Sequence, residues 1–186
     1  MFLYLHFLVI MSFSVSDNPE QSNFLNNLRG VDENVDSFNW VTEKIAIGDF
    51  SSSYKPFRFI ININFPHNHC TRHCVYQRYF EFEDTWYMVI SVGMYDHECE
   101  EKYLPEFIKR IFKKLQNAKR YDPEGKILFH CYAGISRSTA FAMAYLVENE
   151  SCTVEEALDK IKTVRPRVSP KEEYSTELKK YYSQTL

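Results

Sequence analysis

The chain has 186 residues, 45% hydrophobic and 16% aromatic, which suits one domain with a sizeable core and excludes a disordered chain. Its formal net charge of −3 offers no basic footprint, so nucleic acid is not an expected partner. The five cysteines (Cys70, Cys74, Cys99, Cys131 and Cys152) are odd in number and irregularly spaced, unlike a secreted disulfide framework.

Met1 to Val15 is strongly apolar but shorter than the ~20 residues of a spanning helix. Ser14-x-Ser16 resembles a signal cleavage pattern, yet no Lys or Arg precedes the apolar run. A membrane-touching segment and a start at Met11 are the competing readings. Membrane contact is not favoured, and a cytoplasmic or nuclear setting is expected. Ser16 to Ser37 turns polar, so residues 1–37 are read as an apolar segment and linker and residues 38–186 as the folded domain.

Trp40 to Asp49 alternates and ends in a Gly-Asp turn, the pattern of a strand or hairpin, and Phe57 to Phe65 is a second strand. Between them lie about ten residues of loop, too few for a full helix. His67, His69, Cys70, His73 and Cys74 then cluster. A metal site needs three or four such ligands converging, and a polar surface insertion is the preferred reading, so no metal is expected. Tyr76 to Phe82 and Tyr87 to Val92 read as two further strands. Lys102 to Leu115 carries Leu104, Phe107, Ile108, Ile111 and Leu115 on one helical face. Thr153 and Glu156 form a capping box for a helix buried through Ala157, Leu158, Ile161 and Val164. Arg165-Pro-Arg167 breaks that helix. Ser169, Pro170 and Glu172 give a second capping signal, with Pro170 at the first helical position of a last helix lined by Tyr174, Leu178, Tyr181 and Tyr182.

The stretch from Lys126 to Val147 organises the rest. Ile127 to Phe129 is an apolar run fit for a buried strand, and the Ala-, Met- and Leu-bearing segment after Arg137 is a buried helix. The turn between them holds Cys131, Tyr132, Ala133, Gly134, Ile135 and Ser136. A loop whose N–H groups close onto a helix start is an anion site. A helix N-terminus and a nearby cation favour the thiolate form of a cysteine, which can then attack phosphorus. Arg137 offers a planar fork that matches two phosphoryl oxygens. Gly134 permits the angles that turn the N–H groups inward. Ser138 can donate to the sulfur, and His130 can orient the loop from behind.

His130-Cys131-Tyr-Ala133-Gly134-Ile-Ser136-Arg137-Ser138 resembles the signature of the cysteine-dependent protein tyrosine phosphatase superfamily, and most of all the dual-specificity phosphatases. The resemblance runs in fragments from about Trp40 to Tyr182. It implies a single α/β domain with a central, mostly parallel sheet and helices on both faces. It also implies hydrolysis of phosphorylated proteins, at phosphotyrosine and with or without phosphoserine and phosphothreonine, through a cysteinyl-phosphate and without a cofactor. Cys131 is then the nucleophile and Arg137 the phosphate clamp, with Tyr132 to Ser136 on the phosphate and Ser138 and His130 in support. The family's general acid is an aspartate after the strand that ends here at Val92. Asp96 fits, but Gly93, Met94 and Tyr95 intervene, and Glu98 is the alternative. The family's Pro-Asn step reads Pro170-Lys171 here, a departure at one support of the loop. Arg165 and Arg167 are either a second phosphate site near the mouth or a solvated turn.

Three rivals remain. Phosphoinositide phosphatases of the superfamily commonly carry Lys in the loop, which this loop lacks. RNA 5′-phosphatases tend to carry other loop residues and to handle a polyanion with basic surroundings. A phosphate-binding pseudophosphatase adaptor usually loses the Cys or the Arg, and both are present.

Overall fold

The computed structural model describes residues 26–27, 37–64, 73–95 and 100–184. Six strands form one sheet: β1 (Phe38–Trp40), β2 (Ile45–Gly48), β3 (Phe59–Asn62), β4 (Val75–Phe82), β5 (Thr85–Val92) and β6 (Ile127–His130), in spatial order β1-β2-β6-β3-β5-β4. The three central pairings, β2–β6, β6–β3 and β3–β5, are parallel, and the outer hairpins β1–β2 and β4–β5 are antiparallel. This is the single α/β domain with a mostly parallel sheet that the resemblance implied.

Burial follows the pairing. β2 and β6 are buried at every position, as strands covered on both faces must be, and their sequences Ile-Ala-Ile-Gly and Ile-Leu-Phe-His are nearly continuous apolar runs. The hairpin strand β4 instead mixes half-buried and exposed residues.

Four helices follow the hairpins: α1 (Leu104–Lys119), α2 (Arg137–Glu150), α3 (Val154–Val164) and α4 (Glu172–Ser183). A 3-10 turn at Glu101–Tyr103 leads into α1, which buries Leu104, Phe107, Ile108, Ile111, Leu115 and Ala118 and runs four residues beyond the expected Leu115. In α2 the buried set includes Arg137, Ser138, Thr139 and Ala140, and the small residues let the helix lie close to the sheet. Thr153 caps α3, accepting from the Glu156 N–H at 3.2 Å while the Glu156 carboxylate accepts from the Thr153 N–H at 2.8 Å.

Among the described residues the core divides into two clusters, one on each face of the sheet. The larger cluster joins Ile45, Ile47, Phe59, Ile61, Met88, Ile90, Ile127 and Phe129 to residues of all four helices. The smaller one, on the alternate positions Ala46, Ile60, Val89 and Leu128, is closed by Tyr54 and Phe57 of the β2–β3 loop and by Tyr87. No helix stands between β2 and β3, as the short spacing predicted.

One expectation needs correction. The last helix begins at Glu172 with Lys171 as its N-cap residue and no side-chain cap, rather than at Pro170 behind a Ser169 cap. Ser169 is occupied elsewhere, its N–H donating to the Ile135 carbonyl at 3.0 Å. Among the described cysteines, Cys74 is disulfide-bonded and Cys131 and Cys152 are free thiols. His67, His69 and Cys70 lie outside the described residues. His73 pairs with the buried Glu100 at 3.1 Å, and no group of three metal-ligating side chains occurs among the described residues. The apolar N-terminal segment also lies outside them, and no described helix is long and apolar enough to cross a membrane.

Candidate active site

β6 delivers Cys131 to the C-terminal edge of the parallel strands, where open α/β sheets bind ligands. The chain then turns through residues 132–136 and enters α2 at Arg137. Gly134 makes the turn with φ +64°. A Cβ there would also lie 2.6 Å from both Arg165 Nη2 and the Gly48 carbonyl oxygen, so glycine is required by angle and by space.

The carbonyls of this loop are tied to groups outside it. Tyr132 O accepts from the Phe50 N–H at 3.2 Å, and Ile135 O accepts from the Ser169 N–H and from Thr139 Oγ1 at 3.0 and 2.8 Å. Gly134 O accepts from Arg165 Nε at 3.0 Å, and Ser136 O from the Ala140 N–H at 3.0 Å. In a trans peptide the next N–H points opposite to the carbonyl. The N–H groups of Ala133, Ile135, Ser136 and Arg137 are therefore turned away from these outer partners, toward the inside of the loop. That concave set of donors, at the N-terminus of a fourteen-residue helix, can bind an anion.

Cys131 is 2% exposed and its Sγ lies 3.3 Å from Ser138 Oγ, within reach of a hydroxyl that can donate to a thiolate. Arg137 is buried and one terminal nitrogen donates to the Met94 carbonyl at 3.0 Å. Met94 stands two residues after β5, so this bond joins the loop to the segment that leads toward residues 96–99. Tyr174 Oη reaches the next carbonyl, that of Tyr95, at 3.4 Å. Asp96 and Glu98 themselves lie outside the described residues.

Behind Cys131, His130 is buried with Nε2 2.9 Å from the Tyr54 hydroxyl. Burial pushes the His130 pKa down to about 4, with the charge of Asp49 and the Cys131 backbone pulling it partly back. Burial likewise pushes the Tyr54 hydroxyl well above the usual phenol range. Both groups are neutral at pH 7 and form a fixed polar contact within the smaller core.

Arg165 is the residue that sequence reasoning missed. Its side chain is 1% exposed, so it is neither a solvated turn nor a free phosphate ligand. Besides Gly134 O, it donates through Nη1 to Asn39 Oδ1 at 2.6 Å, and Nη2 lies 3.6 Å from Asp49 Oδ2. Asp49 also receives Arg167 Nη2 at 3.0 Å and fastens its own turn by accepting from the Ser51 N–H and hydroxyl at 3.0 and 2.6 Å. The Gly48-Asp49 turn was visible as a turn, but nothing local announced its partner more than a hundred residues away. A shallow cleft of about 670 Å³ lined by Trp40 to Lys44, Glu124 and Lys126 lies at the opposite end of β2 and β6 and has no part in this site.

A cysteine ending a buried parallel strand, a loop of inward N–H groups and an arginine opening the next helix place the molecule in the cysteine-dependent protein tyrosine phosphatase superfamily. Residues 40–184 match the model of the dual specificity phosphatase catalytic domain, and the chain belongs to that family. It is 45% identical to human dual specificity protein phosphatase 5 over 62 residues, which is 33% of this chain and 16% of that protein. It is 34% identical to mouse dual specificity protein phosphatase 19 over 79 residues, 42% of this chain and 33% of that protein. The chain thus spans a third or less of these relatives. The fold superimposes on human tyrosine phosphatase-like serine/threonine/tyrosine-interacting protein with a TM-score of 0.59, at 21% identity, covering 80% of this chain and 97% of that one.

Arg165→Ala leaves the Gly134 carbonyl and the Asn39 amide oxygen without their donor. It is expected to cost roughly 2–4 kcal/mol in urea unfolding, with Arg165→Lys recovering only part. A loss below about 1 kcal/mol would contradict the assigned contacts.

The His130 shift sets a pH dependence. Its folded pKa, about 4, lies below the ordinary histidine value of 6.5, so the unfolded chain binds more protons between those values. Stability is therefore expected to fall as pH drops from about 6.5 to about 4 and to level off below. Urea midpoints across this range for wild type and His130→Gln check it, and the variant should show the shallower slope.

Proposed function

We propose that the chain is a protein phosphatase that hydrolyses phosphotyrosine, and phosphoserine or phosphothreonine where they fit, through a cysteinyl-phosphate. The observation that carries this reading is Cys131 Sγ at the base of the inward N–H loop, 3.3 Å from Ser138 Oγ. The Cys131 thiolate attacks phosphorus in line with the ester oxygen. The loop N–H groups of residues 132–137 and the Arg137 guanidinium take up the charge on the non-bridging oxygens. As the P–O bond breaks, Asp96 donates a proton to the departing oxygen. Water then attacks the phosphocysteine, Asp96 takes its proton, and Ser138 donates to the sulfur that leaves as thiolate. His130, through Tyr54, holds the strand end from which the sulfur projects.

Asp96 is preferred over Glu98 because the Met94 carbonyl already touches Arg137, which brings the chain two residues before Asp96 to the edge of the loop. The chemistry uses no cofactor. It needs a reduced thiol, and cytoplasm or nucleus is the proposed setting. Phosphoprotein is preferred over phosphoinositide or RNA because residues 132–136 carry no cation. Phosphate release from a phosphopeptide panel, with a phosphoinositide and an RNA 5′-phosphate alongside, tests the assignment.

Cys131→Ser is expected to abolish turnover while retaining phosphopeptide binding, since the loop amides and Arg137 remain. Arg137→Lys should lose most activity, because an ammonium cannot replace the bidentate fork. Equal turnover by wild type and Cys131→Ser would end the proposal.

Asp96→Asn is expected to slow phosphotyrosine hydrolysis by roughly 10²–10⁴-fold and to hurt an activated ester much less. It should also flatten the basic limb of the kcat/KM pH profile, which Glu98→Gln should leave intact. The reverse pattern would move the acid to Glu98.

A further inference from the structure

At the rim beside Cys131, two aromatic rings stand in solvent. Phe50 is 55% exposed and Tyr132 is 65% exposed, and they stack on one another with centroids 5.1 Å apart and planes 12° from parallel. Isolated exposed aromatics are common and mean little. This pair differs in its backbone. The Phe50 N–H donates to the Tyr132 carbonyl at 3.2 Å, and the Phe50 and Ser52 carbonyls both accept from Asn27 Nδ2 at 3.0 Å. Asp49, one residue before, is held by Arg165 and Arg167, while Ser52 Oγ donates to the Ser37 carbonyl at 2.9 Å. A loop pinned on both sides thus presents an apolar ring outward, stacked on its neighbour from the phosphate loop.

We infer that Phe50, with Tyr132, forms an aromatic wall that selects phosphotyrosine over phosphoserine and phosphothreonine. The inference rests on the reading of the Cys131 loop as a phosphomonoester site on protein. In phosphotyrosine a six-membered ring separates the ester oxygen from Cβ. With phosphate seated in the Cys131 loop, that ring rises past the mouth alongside the wall, where offset or edge contacts between rings are favourable. In phosphoserine and phosphothreonine the ester oxygen is bonded directly to Cβ. The peptide backbone is then drawn down to the level of the two rings, where it meets their bulk and where the Phe50 ring offers it no polar partner. Because the loop is already fixed, the wall loses little freedom on contact.

The test uses one peptide scaffold bearing phosphotyrosine, phosphoserine or phosphothreonine at the same position, with kcat and KM measured for wild type, Phe50→Ala and Phe50→Trp. Wild type is expected to favour phosphotyrosine. Phe50→Ala should raise KM for the phosphotyrosine peptide by roughly 2–10-fold, the loss falling on KM rather than kcat, and should narrow the selectivity ratio. Phe50→Trp should keep the ratio. Should Phe50→Ala fail to fold in a thermal scan, Phe50→Leu removes the ring while retaining apolar bulk and is expected to narrow the ratio likewise. Turnover of the peptides with a ratio unchanged in the ring-less variant, or a wild-type preference for phosphoserine or phosphothreonine, overturns the wall alone. Wild type that turns over none of the peptides but dephosphorylates a phosphoinositide overturns the protein-phosphatase reading and the wall with it.

Discussion

The buried guanidinium of Arg165 is the constraint on which the site depends. A loop that turns its N–H groups inward must turn its carbonyls outward, and those carbonyls need donors. Arg165 supplies one to Gly134, at the residue where the chain reverses with φ +64°. Its remaining nitrogens reach Asn39 on β1 and Asp49 after β2, so one side chain joins the loop to two elements from the other end of the chain. A buried cation is costly without partners, and the shape of the loop and the placement of Asp49 are two sides of one requirement.

Around this clamp the other contacts divide the work. Ser169 and Thr139 share the Ile135 carbonyl, which ties the turn after α3 and the first turn of α2 to the loop. Phe50 takes the Tyr132 carbonyl from the opposite side. Arg137 couples the loop to the end of β5 through Met94, so the residue proposed to clamp phosphate also ties down the chain just after that strand. Interactions that share partners in this way are not additive, and the residues act as a unit.

Much of this was legible in the sequence because it is local. The apolar run before Cys131, Gly134 at the turn, the small-residue helix after Arg137 and the Thr153–Glu156 box each sit within a few residues of what they determine. The short gap between Asp49 and Phe57 correctly left no room for a helix. The unread part is tertiary. Arg165 lies in an Arg-Pro-Arg turn that looks solvated until Asp49 and Gly134 are brought to it. Ser169 has the residue type of a cap, yet its N–H serves Ile135, and the helix starts later at Glu172. Tyr54 and Phe50 fall in a plain loop, and only the folded chain places one behind His130 and the other beside Tyr132.

The division of the core into two clusters bears on how the molecule breathes. Protection against local opening rises with the apolar surface that must be exposed, and among the described residues one side of this sheet joins the large cluster with α1 to α4 while the other carries a smaller cluster that includes Tyr54 and Phe57. Tyr54 is also the partner of His130, at the base of the Cys131 loop. A fluctuation that lifts the β2–β3 loop therefore loosens the support behind Cys131 while α1 to α4 stay packed. The smaller of the two described clusters and the support behind Cys131 thus share Tyr54, so the placement of that thiol follows the local stability of the β2–β3 loop as well as that of the whole domain.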